Sequence, residues 1–349
     1  MEIGDWQPPI SNLLLQGLVR AMTTYIVRRL LQAIPTIIGV TIISFIIMQA
    51  APGDPVQLMT FQPGITAEDR ARLAHEFCLD RPLVEQYLIW VFGDFRGECR
   101  QRGLIRGDFG NSFYERRPAL DMILERVPAT LELTGVALVI GAALGILVGV
   151  VSAINRASLF DNVARFFSVI FDALPQFWFG LLLIMFFSVN LGWLPVGGRL
   201  PLNKPDITLS DHARHLVMPA FVLAVSWIAV MSRFMRAETL EVIRQDYVRT
   251  ARAKGVPRSQ VYFKHAARNA LISIVTILGP AITGLVGGAV VIERIFSWPG
   301  MGRLTVDAVS SRDYPIVMGS VIIGAVLVIL GNLLSDMLLV VVDPRIRLD

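Results

Sequence analysis

The chain has 349 residues, of which 54% are hydrophobic and only 17% are charged, and its mean hydropathy is +0.59. These values lie outside the range of ordinary soluble domains and predict an all-α polytopic membrane protein. The pI near 9.3 does not indicate nucleic-acid binding, because the basic residues concentrate beside apolar runs. Membrane topology and anionic lipid headgroups account for basic residues in that position, so nucleic acid is excluded as a partner.

The N-terminal part of the chain contains a short amphipathic stretch and then the first predicted span. The apolar stretch within residues 1–24 is too short to cross a bilayer. These residues are predicted to form a cytoplasmic or interfacial extension. Residues 25–50 carry Arg28 and Arg29, followed by about 19 uncharged residues, which suffice for a hydrocarbon core of about 30 Å. The arginines favour the cytoplasmic side, so this span is predicted to run outward.

Residues 51–129 form the only sizeable polar segment, with ten basic and twelve acidic residues. Long segments are largely exempt from the positive-inside rule, so the arginines are compatible with an extracytoplasmic position. Cys78 and Cys99, the only cysteines, both fall here. A disulfide between them and two free thiols are both compatible with the sequence, because spacing alone does not supply the geometry.

The second predicted span, about 131–154, carries glycines at every fourth position. Gly141, Gly145 and Gly149 place a smooth strip on one helix face, where another helix can approach closely. Two interpretations remain open for this strip: packing against a helix of the same chain, or contact with another subunit.

The third predicted span, about 164–190, contains an ionisable residue and a proline. Asp172 at membrane depth is costly unless it faces water or a partner, which makes it, with Pro175, a candidate for the lining of an aqueous pathway. The alternatives are a hydrogen bond between helices and a position near the cytoplasmic interface.

Three further spans are predicted at about 216–233, 270–292 and 314–341. The glycine density of the fifth span permits either close packing or bending, and three of its glycines are candidates for the pathway lining: Gly284, Gly287 and Gly288. Six spans would place both termini in the cytoplasm.

The loop 234–269 between the fourth and fifth spans is strongly basic. From Arg233 to Arg268 the sequence has nine Lys and Arg against three Asp and Glu, which predicts a cytoplasmic location. Its interior is predicted to form two short helices broken at Gly255-Val256-Pro257, because glycine ends helices and proline can begin the next one. A helical hairpin exposed to the cytoplasm is suited to binding a partner.

The sequence contains no motif for catalysis or nucleotide binding. Phosphate-binding loops, zinc-protease helices and nucleophile elbows are all missing, so the chain is predicted not to be an enzyme and to hold no cofactor. His212 and His215, with Asp211, could offer metal ligands, but such residues at a helix start more often serve as caps. No metal site is predicted. Uphill transport would need an ion gradient or an energy-supplying partner.

The segment DYVRTARAKGVPRSQVYFKHAARNALI, residues 246–272, resembles the cytoplasmic EAA loop of binding-protein-dependent ABC importer permeases, specifically the B-type subunit of the dipeptide, oligopeptide and nickel branch. Ten other signatures of that subunit occur in order: YIVRRLLQAIPTIIGVT, APGDP, GDFGNSF, RVPATLEL, LPQFWFGLLL, LGWLPVGG, HLVMPA, ERIFSWPGMGRL, RDYPIVMG and DPRIR. The resemblance covers nearly the whole chain from Tyr25.

This resemblance implies a type I ABC importer permease fold in a bacterial or archaeal inner membrane. The implied partners are a second, homologous permease subunit, two cytoplasmic ATPases that bind ATP and magnesium, and an extracytoplasmic solute-binding protein. The loop would then form a coupling helix that docks in a groove of an ATPase. The implied docking residues are Arg249, Thr250, Ala251, Arg252, Ala253, Lys254, Gly255 and Arg258.

The sequence also departs from the family pattern. The places of the Glu-Ala-Ala triplet are held by Arg249, Thr250 and Ala251, although Gly255 is retained. Ser273 stands where the branch often has proline. Dipeptides or oligopeptides are the first expectation for the cargo, with nickel chelates, glutathione-like peptides and oligosaccharides as alternatives. A stand-alone channel and a membrane-embedded enzyme are the competing classes, but neither explains the loop.

Overall fold

A computed structural model describes residues 10–50, 56, 66–97, 99, 101–201, 204, 206–257, 260–262, 267, 270 and 289–342, with side chains from residue 23 to residue 337. These residues form helices, turns and loops, and their one bridge of β type is isolated, between Asn111 and Pro118. The predicted all-α fold is therefore confirmed.

The helices of this part of the chain are labelled in chain order. They are α1 (Ile10–Ala50), α2 (Ala67–Glu76), α3 (Leu83–Phe92), α4 (Ala119–Ile154), α5 (Leu159–Ala173), α6 (Gln176–Leu183), α7 (Leu209–Val242), α8 (Asp246–Ala253), α9 (Val290–Ile295), α10 (Met301–Ser311) and α11 (Tyr314–Val342). A 3₁₀ turn spans Leu104–Arg106, and α6 continues into a π-helical turn, Ile184–Asn190.

Four described helices are long and apolar enough to cross a membrane: α1 from Thr23, α4, α7, and α11 as far as Met337. A fifth crossing is formed if α5 and Gln176–Asn190 are counted together, although these two arms meet at 103°. The chain is thus a multi-pass membrane protein. Most of the predicted span 270–292, with Gly284, Gly287 and Gly288, lies outside the described residues.

Three helices continue past the apolar runs that predicted the membrane spans. α1 begins at Ile10, so residues 10–24 belong to the same helix as the first span. α4 begins at Ala119, within the segment predicted to be extracytoplasmic. α7 has 34 residues and covers far more than 216–233, since Thr208 caps its start and the charged residues before Val242 are good helix formers.

The predicted single span over 164–190 is instead broken at Leu174 and Pro175. Leu174 has extended dihedral angles, φ −72° and ψ 127°, as the residue before a proline prefers. Pro175 then precedes the first residue of α6, where the missing N–H of proline is not needed. The local chemistry of this dipeptide accounts for the bend.

The glycine strip of α4 packs against α7 of the same chain. A Cβ atom added at Gly145 would lie 2.6 Å from Met231 Cβ, and one at Gly149 would lie 2.7 Å from Met235 Cβ. Gly141 lies equally close to Trp227. Real Cβ contacts of this length are essentially never seen, so the two backbones approach as closely as they do because these residues lack side chains. Of the two interpretations, packing within the chain is correct.

A buried ion pair joins the N-terminal end of α5 to the C-terminal part of α7. Asp161 is fully buried, and its carboxylate accepts hydrogen bonds from Arg236 Nε and Nη2 at 2.7 and 2.8 Å. Ser152 Oγ and the backbone N–H of Ala157 also donate to it, at 2.7 and 2.9 Å. The connection between α4 and α5 is thereby fixed to the part of α7 that leads into the basic loop.

We expect Gly145→Ala to destabilise the protein by about 1–3 kcal/mol, because the new methyl group overpacks the contact between α4 and α7. The control is Gly135→Ala in the same helix, where an added Cβ meets nothing within 4 Å. Thermal unfolding in nanodiscs measures both variants. Equal midpoints for the two would contradict the close contact.

Asp161→Asn should destabilise the protein by about 3–5 kcal/mol, since it leaves the Arg236 guanidinium without its buried counter-charge. Asp246→Asn is the matched control, because Asp246 is 95% exposed and lies 3.6 Å from Arg249, which is itself 71% exposed. Denaturant titration in mixed micelles gives both free energies of unfolding. A similar loss of unfolding free energy in Asp246→Asn would show that the buried Asp161–Arg236 pair stabilises the protein no more than an exposed pair does.

Candidate functional site

The first part of the candidate site is α8, a two-turn helix within the basic loop. Gln245 precedes it with extended backbone, and Gly255 follows it at φ +75°, a left-handed conformation that favours glycine. Val248 is fully buried and attaches the helix to the body of the protein. The predicted break at Gly255 is thus where the first of the two predicted helices ends.

Most of the predicted docking residues lie on the outer face of α8 or just beyond it. Ala251 is half-buried, and the exposed members of the set are Arg249, Thr250, Arg252, Ala253, Lys254 and Gly255. Arg258 lies outside the described residues. Arg252 contacts the Tyr262 ring, with the guanidinium carbon 5.4 Å from the ring centroid. One side of α8 is therefore buried at Val248, and its exposed side is basic, which suits an acidic groove on a partner.

Polar contacts join α5 and the start of α6 to α7. Arg233 Nη2 donates to Asp172 Oδ2 at 2.8 Å, and these side chains remain 38% and 47% exposed. Gln176, just past the bend at Pro175, donates to Ser226 Oγ at 3.0 Å. The structure therefore pairs Asp172 with a cation on the neighbouring helix while leaving both accessible.

Sequence reasoning missed Glu293, a fully buried carboxylate in the motif ERIFSWPGMGRL. Its oxygens accept hydrogen bonds from Thr130 Oγ1 at 2.6 Å and from the backbone N–H of Arg303 at 2.9 Å. Arg303 lies in the first turn of α10, where free N–H groups favour a negative charge. Gly300 and Gly302 leave room for the carboxylate, since a Cβ at either would collide with it. An acidic residue before a glycine-rich turn was the available signal.

Asp313 joins the motif GDFGNSF to the start of α11. Its carboxylate accepts hydrogen bonds from Ser112 Oγ and from the backbone N–H of Phe113, the latter at 3.2 Å. Asp313 is buried, and this burial raises the pKa of its carboxyl above the ordinary value, against the opposing effect of these donors. Two sequence signatures some 200 residues apart are thereby joined.

The histidines near the start of α7 have separate partners. His212 Nε2 contacts Glu132 Oε1 on α4, and Arg199 donates to Glu132 Oε2 at 2.6 Å. His215 lies near the carbonyl oxygens of Gly197 and Gly198. Asp211 caps α7 through Thr208, so these side chains do not converge on a common point.

Cys78 and Cys99 form a disulfide in the polar segment 51–129, with their Cα atoms 6.0 Å apart. Asp94 accepts hydrogen bonds from the backbone N–H of Cys99 and of Arg96, at 2.6 and 2.8 Å. These bonds hold the pKa of the Asp94 carboxyl below its usual value. The loop after α3 is therefore cross-linked to the residues after α2.

Comparison with known proteins identifies the family. Residues 145–348 match the family model described as "Binding-protein-dependent transport system inner membrane component", and residues 22–134 match that of its N-terminal part. An oligopeptide transport system permease protein, AppB, of Bacillus subtilis is 45% identical over 93% of this chain and 100% of its own length. The dipeptide transport system permease protein DppB of Escherichia coli K12 is 40% identical over 93% and 99%.

Among solved structures, the MetNI methionine ABC transporter in an inward-facing form has a chain with a TM-score of 0.51. It is 20% identical and covers 63% of this chain and 96% of its own, which supports the fold alone. The sequence relationship extends over nearly the whole length of the relatives. The chain therefore belongs to the binding-protein-dependent transport system inner membrane components, the permease subunits of ABC importers.

Proposed function

We propose that this protein is one of two homologous permease subunits of an ATP-driven importer for dipeptides or oligopeptides. The observation that carries the proposal is the exposed basic surface of α8, anchored by Val248, in a chain whose relatives are named as peptide permeases. The partners are the second permease subunit, two cytoplasmic ATPases and an extracytoplasmic binding protein. ATP and magnesium bind to the ATPases, and this chain holds no cofactor.

In this proposal α8 is the coupling helix. Its basic residues pair with acidic groups on the ATPase, while the small side chains of Ala251 and Ala253 permit close approach. Movement of the ATPase reaches α7 through the short turn at 243–245 and reaches α5 through the Arg236–Asp161 ion pair. The docked helix and two membrane helices are thus linked through a few short contacts.

The surface containing Asp172 and Pro175 is the proposed lining of the translocation pathway. An ion pair with both side chains more than one-third exposed is costly in hydrocarbon and is accommodated beside water. Peptides carry both an ammonium and a carboxylate, so a lining that offers both charges suits them better than it suits an uncharged sugar. When the cargo binds one charge of the Asp172–Arg233 pair, the other charge is released from its partner. This release would lower the energy barrier to passage of the peptide.

The proposed topology places both termini and α8 in the cytoplasm. The net charge of +6 from Arg233 to Arg268 supports this orientation, as do Arg28 and Arg29 at the first residues of the span. The segment 51–129 and the motif SWPGMGRL then lie on the outer side, where the binding protein docks. The disulfide and the Asp313 contacts give that outer surface a fixed shape.

Ala253→Trp tests the coupling assignment. The new indole projects from the exposed face of α8 and is expected to lower peptide-stimulated ATP turnover about tenfold or more, because a loss of about 1.4 kcal/mol in docking already has that effect. The assay uses the complete importer in proteoliposomes. Ala237→Trp, exposed on α7, is the matched control and should retain turnover. Full stimulation in the Ala253 variant would refute the proposal.

Charge exchange tests the pathway assignment. Asp172→Asn should slow peptide uptake roughly tenfold, equivalent to about 1.4 kcal/mol in a barrier, while thermal stability changes little because the pair is accessible. The double variant Asp172→Arg with Arg233→Asp should recover part of the uptake. Uptake that is unaffected by Asp172→Asn, or lost only in proportion to stability, would exclude Asp172 from the lining.

A further inference from the structure

Helix α3 packs against the outer half of α1. Tyr87 and Thr41 share a hydrogen bond of 2.9 Å between their hydroxyl oxygens, and the Tyr87 ring lies 5.4 Å from that of Phe45. Gln49 Nε2 donates to Gln86 Oε1 at 2.9 Å. These contacts place α3 alongside residues 41–49 of α1, and not beyond its end.

Two polar contacts indicate how deeply α3 lies in the hydrocarbon core. Arg29 and Asp336 form an ion pair at 3.1 Å, which marks the polar boundary at the first residues of the α1 span. Gln49 follows Arg29 by 20 residues, so about 30 Å of helix separates them, which equals the thickness of the hydrocarbon core. Thr41 lies about 12 Å before Gln49 on the same scale. The contact between Thr41 and Tyr87 is therefore within the hydrocarbon layer.

The outer face of α3 is apolar and is not covered by the described residues. Leu83, Val84 and Leu88 are 55%, 72% and 45% exposed. With Ile42 and Ile46 of α1, the first two line an apolar groove of about 470 Å³ between the two helices. Exposed isoleucines, Ile34, Ile38, Ile42 and Ile46, continue this apolar surface along α1, so the groove opens onto the exposed apolar face of a membrane-spanning helix.

The charged side chain of α3, Glu85, lies at a different edge of the helix from Leu83, Val84 and Leu88. Glu85 is within 3.7 Å of both Arg81 and Arg96, so its charge is balanced by two arginines of the same extracytoplasmic segment. A helix with one apolar face and one charged edge is suited to lie in the membrane interface.

We propose that α3 is seated in the outer leaflet and that Leu83, Val84 and Leu88 contact the acyl chains of membrane phospholipids. One acyl chain occupies the groove beside Ile42 and Ile46. The lipid is preferred to a protein partner because the groove is continuous with the exposed apolar face of the membrane-spanning helix α1 and six of its eight lining residues are apolar. The name of the leaflet rests on the proposed orientation, whereas the lipid contact does not.

The disulfide gives this contact a wider consequence. Cys78 precedes α3 and Cys99 follows it, so a helix fixed in the leaflet also fixes the loop that Asp94 organises. The extracytoplasmic segment is then held to the membrane at its centre as well as through α1 and α4.

The experiment is photolabelling of the complete importer in phosphatidylethanolamine nanodiscs that contain a phosphatidylcholine with a diazirine in the middle of its acyl chain. Mass spectrometry maps the adducts. Residues 83–88 should be labelled to the same level as Ile34 and Ile38 of α1, and about tenfold more than Phe95 and Ile105, as expected for side chains within hydrocarbon. Phe95 and Ile105 are the matched controls, being 82% and 69% exposed outside α3.

Labelling of α1 without labelling of 83–88 would overturn the proposal, and so would labelling of 83–88 no greater than that of Phe95 and Ile105. A protein subunit covering α3 would give the first result. The measurement does not depend on ATP turnover, which is assayed on the same preparation. A failure of the lipid contact is therefore distinguishable from a failure of the importer function.

Discussion

The close contact between α4 and α7 is the constraint on which the rest of the structure depends. Three glycines at four-residue spacing allow the two backbones to meet without intervening side chains. Hydrophobic burial contributes little to helix association within lipid, so close packing of this kind is a principal source of attraction. Asp172 and the basic loop, to which function is proposed, take their positions from α5 and α7.

Buried carboxylates fix the ends of these helices. Asp161 fixes the connection between α4 and α5 to α7. Glu293 accepts a hydrogen bond from the first turn of α10, and Asp313 accepts one from the GDFGNSF motif. In each case the donors are backbone N–H groups, hydroxyls or an arginine, which satisfy the oxygens that burial removes from water. Such contacts join four of the sequence signatures in pairs: RVPATLEL with ERIFSWPGMGRL, and GDFGNSF with RDYPIVMG.

Apolar runs and charge asymmetry predicted the class of protein, most of the membrane spans and the basic loop, because these properties depend on composition alone. α1, α4 and α7 are longer than the predicted spans, since hydropathy detects the membrane and not the end of a helix. The break at Pro175 was not predicted because a proline can kink a span or interrupt it. Glu293 and Asp161 were missed, as their roles depend on donors that lie far away in sequence or on another helix.

The length of α7 has a mechanical consequence. Its 34 residues extend for about 51 Å, and the glycine contact makes α4 and α7 a single stiff body over much of that length. A tilt of about ten degrees about one end would displace the other by about 9 Å, more than the pitch of a helical turn. A modest rotation at the C-terminal end of α7, next to α8, is therefore enough to rearrange side chains at the opposite end of the helix.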